Sequence, residues 1–351
     1  MGERLLLRGN EVIAEAAIRA GCECYFAYPI TPQAELLEHM AREMPRLGRT
    51  FVQAESEVAA INMVYGAAAA GVRTMTSSSS PGISLKQEGI SYIAGANLPA
   101  VIVNVVRGGP GLGNIAPSQC DYFQATKGGG HGDYRLIVLG PSTVPEAGEL
   151  TMLAFRLADQ YRIPVMILAD GLLGQMMEPV ELPDPIDADS LPDKPWALTG
   201  AAGRTPNIVH SFDMDPEGLR QLNRDLQAKY GRITDAETRY ETVDTDDADL
   251  VIAAYGTIAR IAKTVVRMAR AEGIKVGLFR PITLWPFPTD ALRTISGTAK
   301  TILTVEMSAG QMWEDVRLAV AERAETPFYG ETGGVVPTPR SILSEVKKHV
   351  R

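Results

Sequence analysis

Cysteine is scarce in this sequence: Cys22, Cys24 and Cys120 are the only three in 351 residues. A four-thiolate iron–sulfur cluster cannot be built from them within this chain. Their scarcity predicts a reducing, cytoplasmic compartment. Long apolar runs are missing as well. The opening stretch MGERLLLRGNEV has three leucines before a charge, short of a secretory core, and Gly2 lacks the Ser or Thr context of myristoylation. No segment approaches the roughly twenty apolar residues of a membrane helix. Lysines and arginines form no blocks, and the net charge is −8, which argues against a general nucleic-acid binder. The four histidines, His39, His131, His210 and His349, have no metal-ligand spacing. A G-x-S-x-G elbow is absent, so a serine hydrolase finds little support.

The chain does carry enough apolar residues, 45%, for two cores. Asn10 reads as the N-cap of a helix that Gly21 ends, and residues 24–28 as a strand. Pro32 fits the first turn of a second helix. Thr50–Val52 and Arg73–Thr76 read as strands, with an Ala-rich helix from Glu57 to Ala70 between them and another helix over 83–95. "PAVIVNVV", "YRLIVLG" and "IPVMILAD" are the continuous apolar runs of buried parallel strands. The predicted fold is α/β: a parallel sheet covered on both faces, with its chemistry at the carboxyl ends of the strands. The loops after residues 28, 53, 77 and 106 lie there. We expect this first domain to span 1–180. A Pro- and acid-rich linker with a short helix, near 216–229, follows over 181–247. A smaller α/β domain covers 248–351, with its last long helix at 310–323.

Several constellations at those loops could carry chemistry. In "YFAYPITPQAE" a strand stops at Pro29 and leaves the hydroxyl of Thr31 between two prolines. Glu55 and Glu57 stand where a strand becomes a helix, a position that also suits the helix dipole. "TSSSSPGIS", with Ser79 and Ser80, supplies hydroxyls and amides before a helix, as a loop for an anion or polar ligand would. Arg107 ends an apolar strand, where it could grip a carboxylate with two parallel hydrogen bonds or serve as a surface ion pair. The following "RGGPGLGNIAP" matches G-x-G-x-x-A and raises a nicotinamide dehydrogenase as the rival reading. Pro117 opposes that reading, because no helix can begin within the glycines.

"AYPITPQAE", "ESEVAAINMVYGAAAAGVRTMTSSSSPGIS", "NVVRGGPG", "KGGGHGDY", "LFRPITLWPFP" and "VEMSAGQMWEDV" occur in this order. Together they resemble the α subunit of 2-oxoacid:ferredoxin oxidoreductases, most of all the branched-chain 2-oxoisovalerate type, with the 2-oxoglutarate type close behind. The resemblance implies a thiamine pyrimidine-binding domain followed by a transketolase-C-terminal-like domain. It implies oxidative decarboxylation of a 2-oxoacid on thiamine diphosphate, transfer of the acyl group to coenzyme A, and electrons leaving to ferredoxin. Thr31 and Arg107 would bind substrate and Glu57 would activate the cofactor, with Pro29, Ile30, Ser79 and Ser80 beside it. Neither the Gly-Asp-Gly nor the Asn-Asn of a thiamine diphosphate and Mg²⁺ site occurs here. A β subunit would therefore bring the diphosphate pocket, Mg²⁺ and a [4Fe-4S] cluster, and γ and ferredoxin-like δ subunits are expected too. A subunit that kept the fold and lost the site is the non-catalytic alternative. No nucleic acid or membrane partner is expected.

Overall fold

The computed structural model describes residues 4–187 and 190–350. The first half of the chain runs β1 (Arg4–Arg8), α1 (Gly9–Arg19), β2 (Cys24–Ala27), α2 (Ala34–Arg46), β3 (Thr50–Gln53), α3 (Glu57–Ala69), β4 (Thr74–Ser78), α4 (Pro81–Gly95) and β5 (Ala100–Val106). It continues through α5 (Tyr122–Thr126), β6 (Ile137–Leu139), α6 (Val144–Tyr161), β7 (Pro164–Asp170), α7 (Gly171–Gln175) and β8 (Met177–Glu181). The second half contains α8 (Pro216–Glu237), β9 (Tyr240–Val243), β10 (Leu250–Ala253), α9 (Gly256–Ala271), β11 (Val276–Pro281), β12 (Thr283–Trp285), α10 (Thr289–Ile295), β13 (Thr301–Glu306), α11 (Gln311–Val320), β14 (Phe328–Gly330) and α12 (Pro339–His349).

The large sheet has the order β12-β6-β7-β5-β4-β2-β3 and is parallel except for β12. Every residue of β5 and β7 is buried, and alternate side chains enter different cores. Val101, Val103 and Val105 pack with α1, α2 and α6, while Ala100, Ile102 and Val106 pack with α3 and α4. That two-sided burial is why these strands are apolar throughout. Strand order reverses between β2 and β4, and such a switch opens a crevice at the carboxyl ends.

The helices differ in detail from the sequence expectations. Helix α1 starts at Gly9, with Arg8 as its N-cap, so Asn10 lies inside the helix and is buried. Helix α2 starts at Ala34 with Gln33 as N-cap, so Pro32 precedes it rather than forming its first turn. Helix α8 is 22 residues long and buries Leu226, Tyr230 and Ile233 against the core shared with α1 and α6.

The second sheet has the order β14-β13-β10-β11-β9, with β9 antiparallel to β11. Beyond α11 lies one more helix, α12, whose Ile342, Leu343 and Val346 share a core with α9. β12 leaves this half of the chain and pairs antiparallel with β6 of the large sheet. Gln119 stitches the halves further, donating to the Tyr255 carbonyl at 3.0 Å and accepting from the Met307 amide at 2.9 Å. β1 and β8 form a separate two-stranded antiparallel ribbon.

Candidate active site

The carboxyl ends of β2, β3, β4 and β5 supply the expected residues. Thr31 lies after β2, Glu57 after β3, Ser79 and Ser80 after β4, and Arg107 directly after β5. Glu57 is the first residue of α3, whose N-cap Ser56 accepts from the Ala59 amide. It is 6% exposed, whereas Glu55 lies in solvent. The structure thus separates two acids that sequence spacing left as alternatives.

Arg107 is 7% exposed, yet its guanidinium meets no carboxylate among the described residues. Nη1 donates to the Thr31 carbonyl at 3.0 Å and Nη2 to the Leu112 carbonyl at 2.9 Å. Nε is buried without a partner among the described residues. A buried cation held only by carbonyls is short of counter-charge, which is the state of an arginine that awaits an anionic ligand. The surface ion pair weighed from the sequence is not what forms here.

Thr31 itself is exposed and is joined to Pro32 by a cis peptide bond. It does not cap α2, since Gln33 does. Pro29 is exposed and Ile30 half-buried. The loop is fixed from behind by side chains not singled out in the sequence. Asn10 Nδ2 donates to the Pro32 carbonyl and to Glu35 Oε2, both at 2.8 Å. Ser77 Oγ, 2.5 Å from the Tyr25 hydroxyl, donates to Gln33 Oε1 at 2.5 Å.

Ser80 turns the chain from β4 into α4 at φ 20° and ψ −78°. Its amide donates to Asn104 Oδ1 at 3.1 Å, and its hydroxyl accepts from the Arg107 amide at 3.0 Å. The Ser80 side chain is thus engaged with the arginine's backbone. Ser78 and Ser79 differ, because their hydroxyls are buried with no partner among the described residues. Asn104 passes the connection on to Asp121, with Nδ2 to Oδ2 at 2.8 Å. Burial raises the Asp121 pKa, opposed by its hydrogen bonds from Ser80 and Asn104.

Helix α4 carries a buried cation that sequence reasoning passed over. Lys86 of α4 is fully buried, and its Nζ donates to Thr76 Oγ1 at 2.7 Å and to the Ser77 carbonyl at 2.9 Å.

The 108–116 loop is not a dinucleotide turn. Arg107 bridges Pro117 across its neck, and the Gly108 amide donates to the Ala116 carbonyl at 2.9 Å. Gly111 and Gly113 take φ 68° and 60° to close the loop. The next helix, α5, begins at Tyr122, too late to receive a pyrophosphate.

A buried glutamate at the helix start after β3, an arginine without a carboxylate partner after β5, three strands over, and unpartnered hydroxyls after β4 between them line one edge of the sheet with groups suited to a polar ligand. The unpartnered hydroxyls and the glutamate fit the aminopyrimidine side of thiamine. Comparison with known proteins agrees. The family described as pyruvate flavodoxin/ferredoxin oxidoreductase, thiamine diphosphate-binding, matches residues 15–224, and pyruvate:ferredoxin oxidoreductase core domain II matches 248–342. The ketoisovalerate oxidoreductase subunit VorB of Methanothermobacter thermautotrophicus is 52% identical over 98% of this chain and 97% of its own. The 2-oxoglutarate synthase subunit KorA of the same organism is 37% identical over 99% of both. The 2-oxoglutarate:ferredoxin oxidoreductase from Magnetococcus marinus, solved with 2-oxoglutarate, coenzyme A and succinyl-CoA bound, superposes with a TM-score of 0.89 at 29% identity; this chain spans 66% of that one. A split-gene transketolase shares the fold, with a TM-score of 0.61 at 14% identity. The chain belongs to the 2-oxoacid:ferredoxin oxidoreductase family, as a thiamine diphosphate-binding subunit. No helix among the described residues is long and apolar enough to cross a membrane.

Proposed function

We propose that this chain is the α-type subunit of a cytoplasmic 2-oxoacid:ferredoxin oxidoreductase that acts on a branched-chain 2-oxoacid. The observation that carries this reading is the Arg107 guanidinium, which is buried and lacks a carboxylate partner among the described residues, at the same carboxyl edge of the large sheet as Glu57. Arg107 binds the substrate carboxylate, and the carbonyl of Thr31 holds Arg107 in place while its hydroxyl faces the 2-oxo group. Glu57 pairs with the aminopyrimidine nitrogen N1′ and shares a proton there. Pro29, Ile30, Ser79 and Ser80 shape the wall around the ring. Bound thiamine diphosphate supplies the carbon nucleophile that adds to the 2-oxo carbon and accepts the electron pair released with CO₂.

The absence of Gly-Asp-Gly and Asn-Asn supports a β subunit that brings the diphosphate pocket and Mg²⁺, and three cysteines, too few for a cluster, support a [4Fe-4S] centre in that partner as well. Further γ and ferredoxin-like δ subunits complete the electron path to ferredoxin, and coenzyme A takes the acyl group. The relatives are themselves named as subunits. The test is to purify the native complex and follow reduction of a viologen dye. We expect reduction with 2-oxoisovalerate and coenzyme A, and slower reduction with 2-oxoglutarate. Dye reduction with neither acid would overturn the reading, and NAD reduction by the chain alone would restore the dehydrogenase.

A further inference from the structure

We propose that the amino-terminal edge of the large sheet carries a second ligand site, a two-lobed cavity for a small organic anion that joins a phosphate head to an apolar body.

The place itself is set by β5. Asn97 lies in the turn between α4 and β5, whereas Arg107 follows the other end of that strand. Seven strand residues separate the two turns, roughly 20 Å at about 3.3 Å per residue. Sheets of this kind bind their ligands at the carboxyl ends, so the half-site around Glu57 and Arg107 does not explain what gathers at the opposite edge.

A cavity of about 300 Å³ opens beside the Asn97 turn, with Arg162, Trp196, Asn207 and His210 in its wall and no acidic side chain among the described residues that line it. Arg162 Nε donates to the Asn97 carbonyl at 2.9 Å, and its Cζ lies 4.4 Å from the centre of the Trp196 ring. Behind it, Lys229 of α8 is 8% exposed and donates to Asn97 Oδ1 at 2.6 Å and to the Arg162 carbonyl at 2.9 Å. The hydrogen bonds of both cations thus go to neutral groups. Neither has a carboxylate within ion-pair distance among the described residues, in a chain whose net charge is −8. Two cations held together at a cavity without counter-charge are short of an anion. Burial, then the fields of Arg162 and Arg232, hold the Lys229 pKa down at about 8, the same shortage seen from the lysine.

The walls are fixed. Lys194 pairs with Asp159 at 2.7 Å just before Trp196, and Asn207 Nδ2 donates to the Pro195 and Ala197 carbonyls at 2.6 and 2.9 Å. A second lobe of about 610 Å³ adjoins the first, since Gly95 and Leu222 line both. Tyr92, Tyr134, Phe212, Leu219 and Leu226 give it an apolar wall, but Asp133 and Asp213 also line it. Those acids repel an anion, so the head belongs at Arg162 and the apolar body in the wider lobe. The forked guanidinium of Arg162 matches a phosphate.

Trp196 reports on the site directly. In the assembled complex at constant ionic strength, phenyl phosphate should change tryptophan emission in a saturable way. It should bind at least tenfold more tightly than inorganic phosphate, because only phenyl phosphate has a body for the second lobe. The change should vanish in Trp196→Phe, which leaves Trp285 and Trp313 in place. Arg162→Gln should weaken phenyl phosphate binding at least tenfold while turnover without the probe stays at the wild-type level. His210 is exposed, and His210→Ala should weaken binding about threefold, which covers the case where Arg162→Gln does not fold. A change that fails to saturate, or that persists in Trp196→Phe, overturns the proposal. So does an unaltered affinity in Arg162→Gln, or in His210→Ala if the first variant does not fold. Equal affinity for the two probes overturns the two-lobed ligand.

Discussion

Arg107 reaches the Thr31 carbonyl, not its hydroxyl, at 3.0 Å. The arginine thereby positions the threonine through its backbone and leaves the hydroxyl open to a ligand. Two loops from different strands are locked by one side chain. Lysine at 107 keeps the charge but cannot span both the Thr31 and the Leu112 carbonyls while gripping a carboxylate. We expect Arg107→Lys to raise the KM for the 2-oxoacid at least tenfold, since a charged bidentate contact contributes about 1.5–3 kcal/mol. Coenzyme A kinetics should barely change. Steady-state titration of each substrate in turn checks this, and an unaltered 2-oxoacid KM would remove Arg107 from the substrate site.

Gly82→Ala separates catalysis from stability. Gly82 is the second residue of α4, in its first turn, where alanine gains over glycine no more than the about 1 kcal/mol of a helix interior. Here its methyl overlaps the ends of two side chains, Ser78 Oγ at 2.1 Å and Glu57 Oε1 at 2.5 Å, which can swing away. The expected result is a melting temperature close to wild type and a kcat reduced by about a hundredfold, because Glu57 is displaced. Full activity would mean that the carboxylate tolerates another position.

Glu57→Gln keeps the shape and removes the acid. Cofactor should remain bound, while hydrogen–deuterium exchange at its thiazolium C2 slows by orders of magnitude. Exchange at the wild-type rate would reduce Glu57 to a helix-start charge.

The isolated chain should bind thiamine diphosphate weakly and turn over no substrate, because the sequence lacks a diphosphate motif. Calorimetric titration with Mg²⁺ present measures this directly. Tight binding would show that this chain holds the diphosphate itself.

Much of the architecture was readable from apolar runs. The strands near 99–106 and 164–170 are buried on both faces, so their sequences carry no polar alternation to mislead. The positions of the candidate residues were readable at strand ends: Glu57 after β3, Arg107 after β5 and Thr31 after β2. Other features depend on tertiary context. Asn10 has the composition of a cap, but its amide is drawn into the fold by the Pro32 carbonyl and Glu35. Lys86 reads as a surface charge within a polar stretch, and its burial follows only from how closely Gly82 and Gly89 bring α4 to α3. α12 follows a glycine- and proline-rich turn and was missed. The short run Thr283–Trp285 is too brief for periodicity to reveal which sheet it joins.

That run has a further consequence. β12 covers the flank of β6, whose three residues are all buried. A fragment ending before residue 248 would carry the large sheet with that flank stripped. Its backbone donors and acceptors would face water or, more readily, another fragment. Such a piece should aggregate during expression although its sequence boundary looks clean. The later half of this chain thus covers a sheet edge that the earlier half cannot cover for itself.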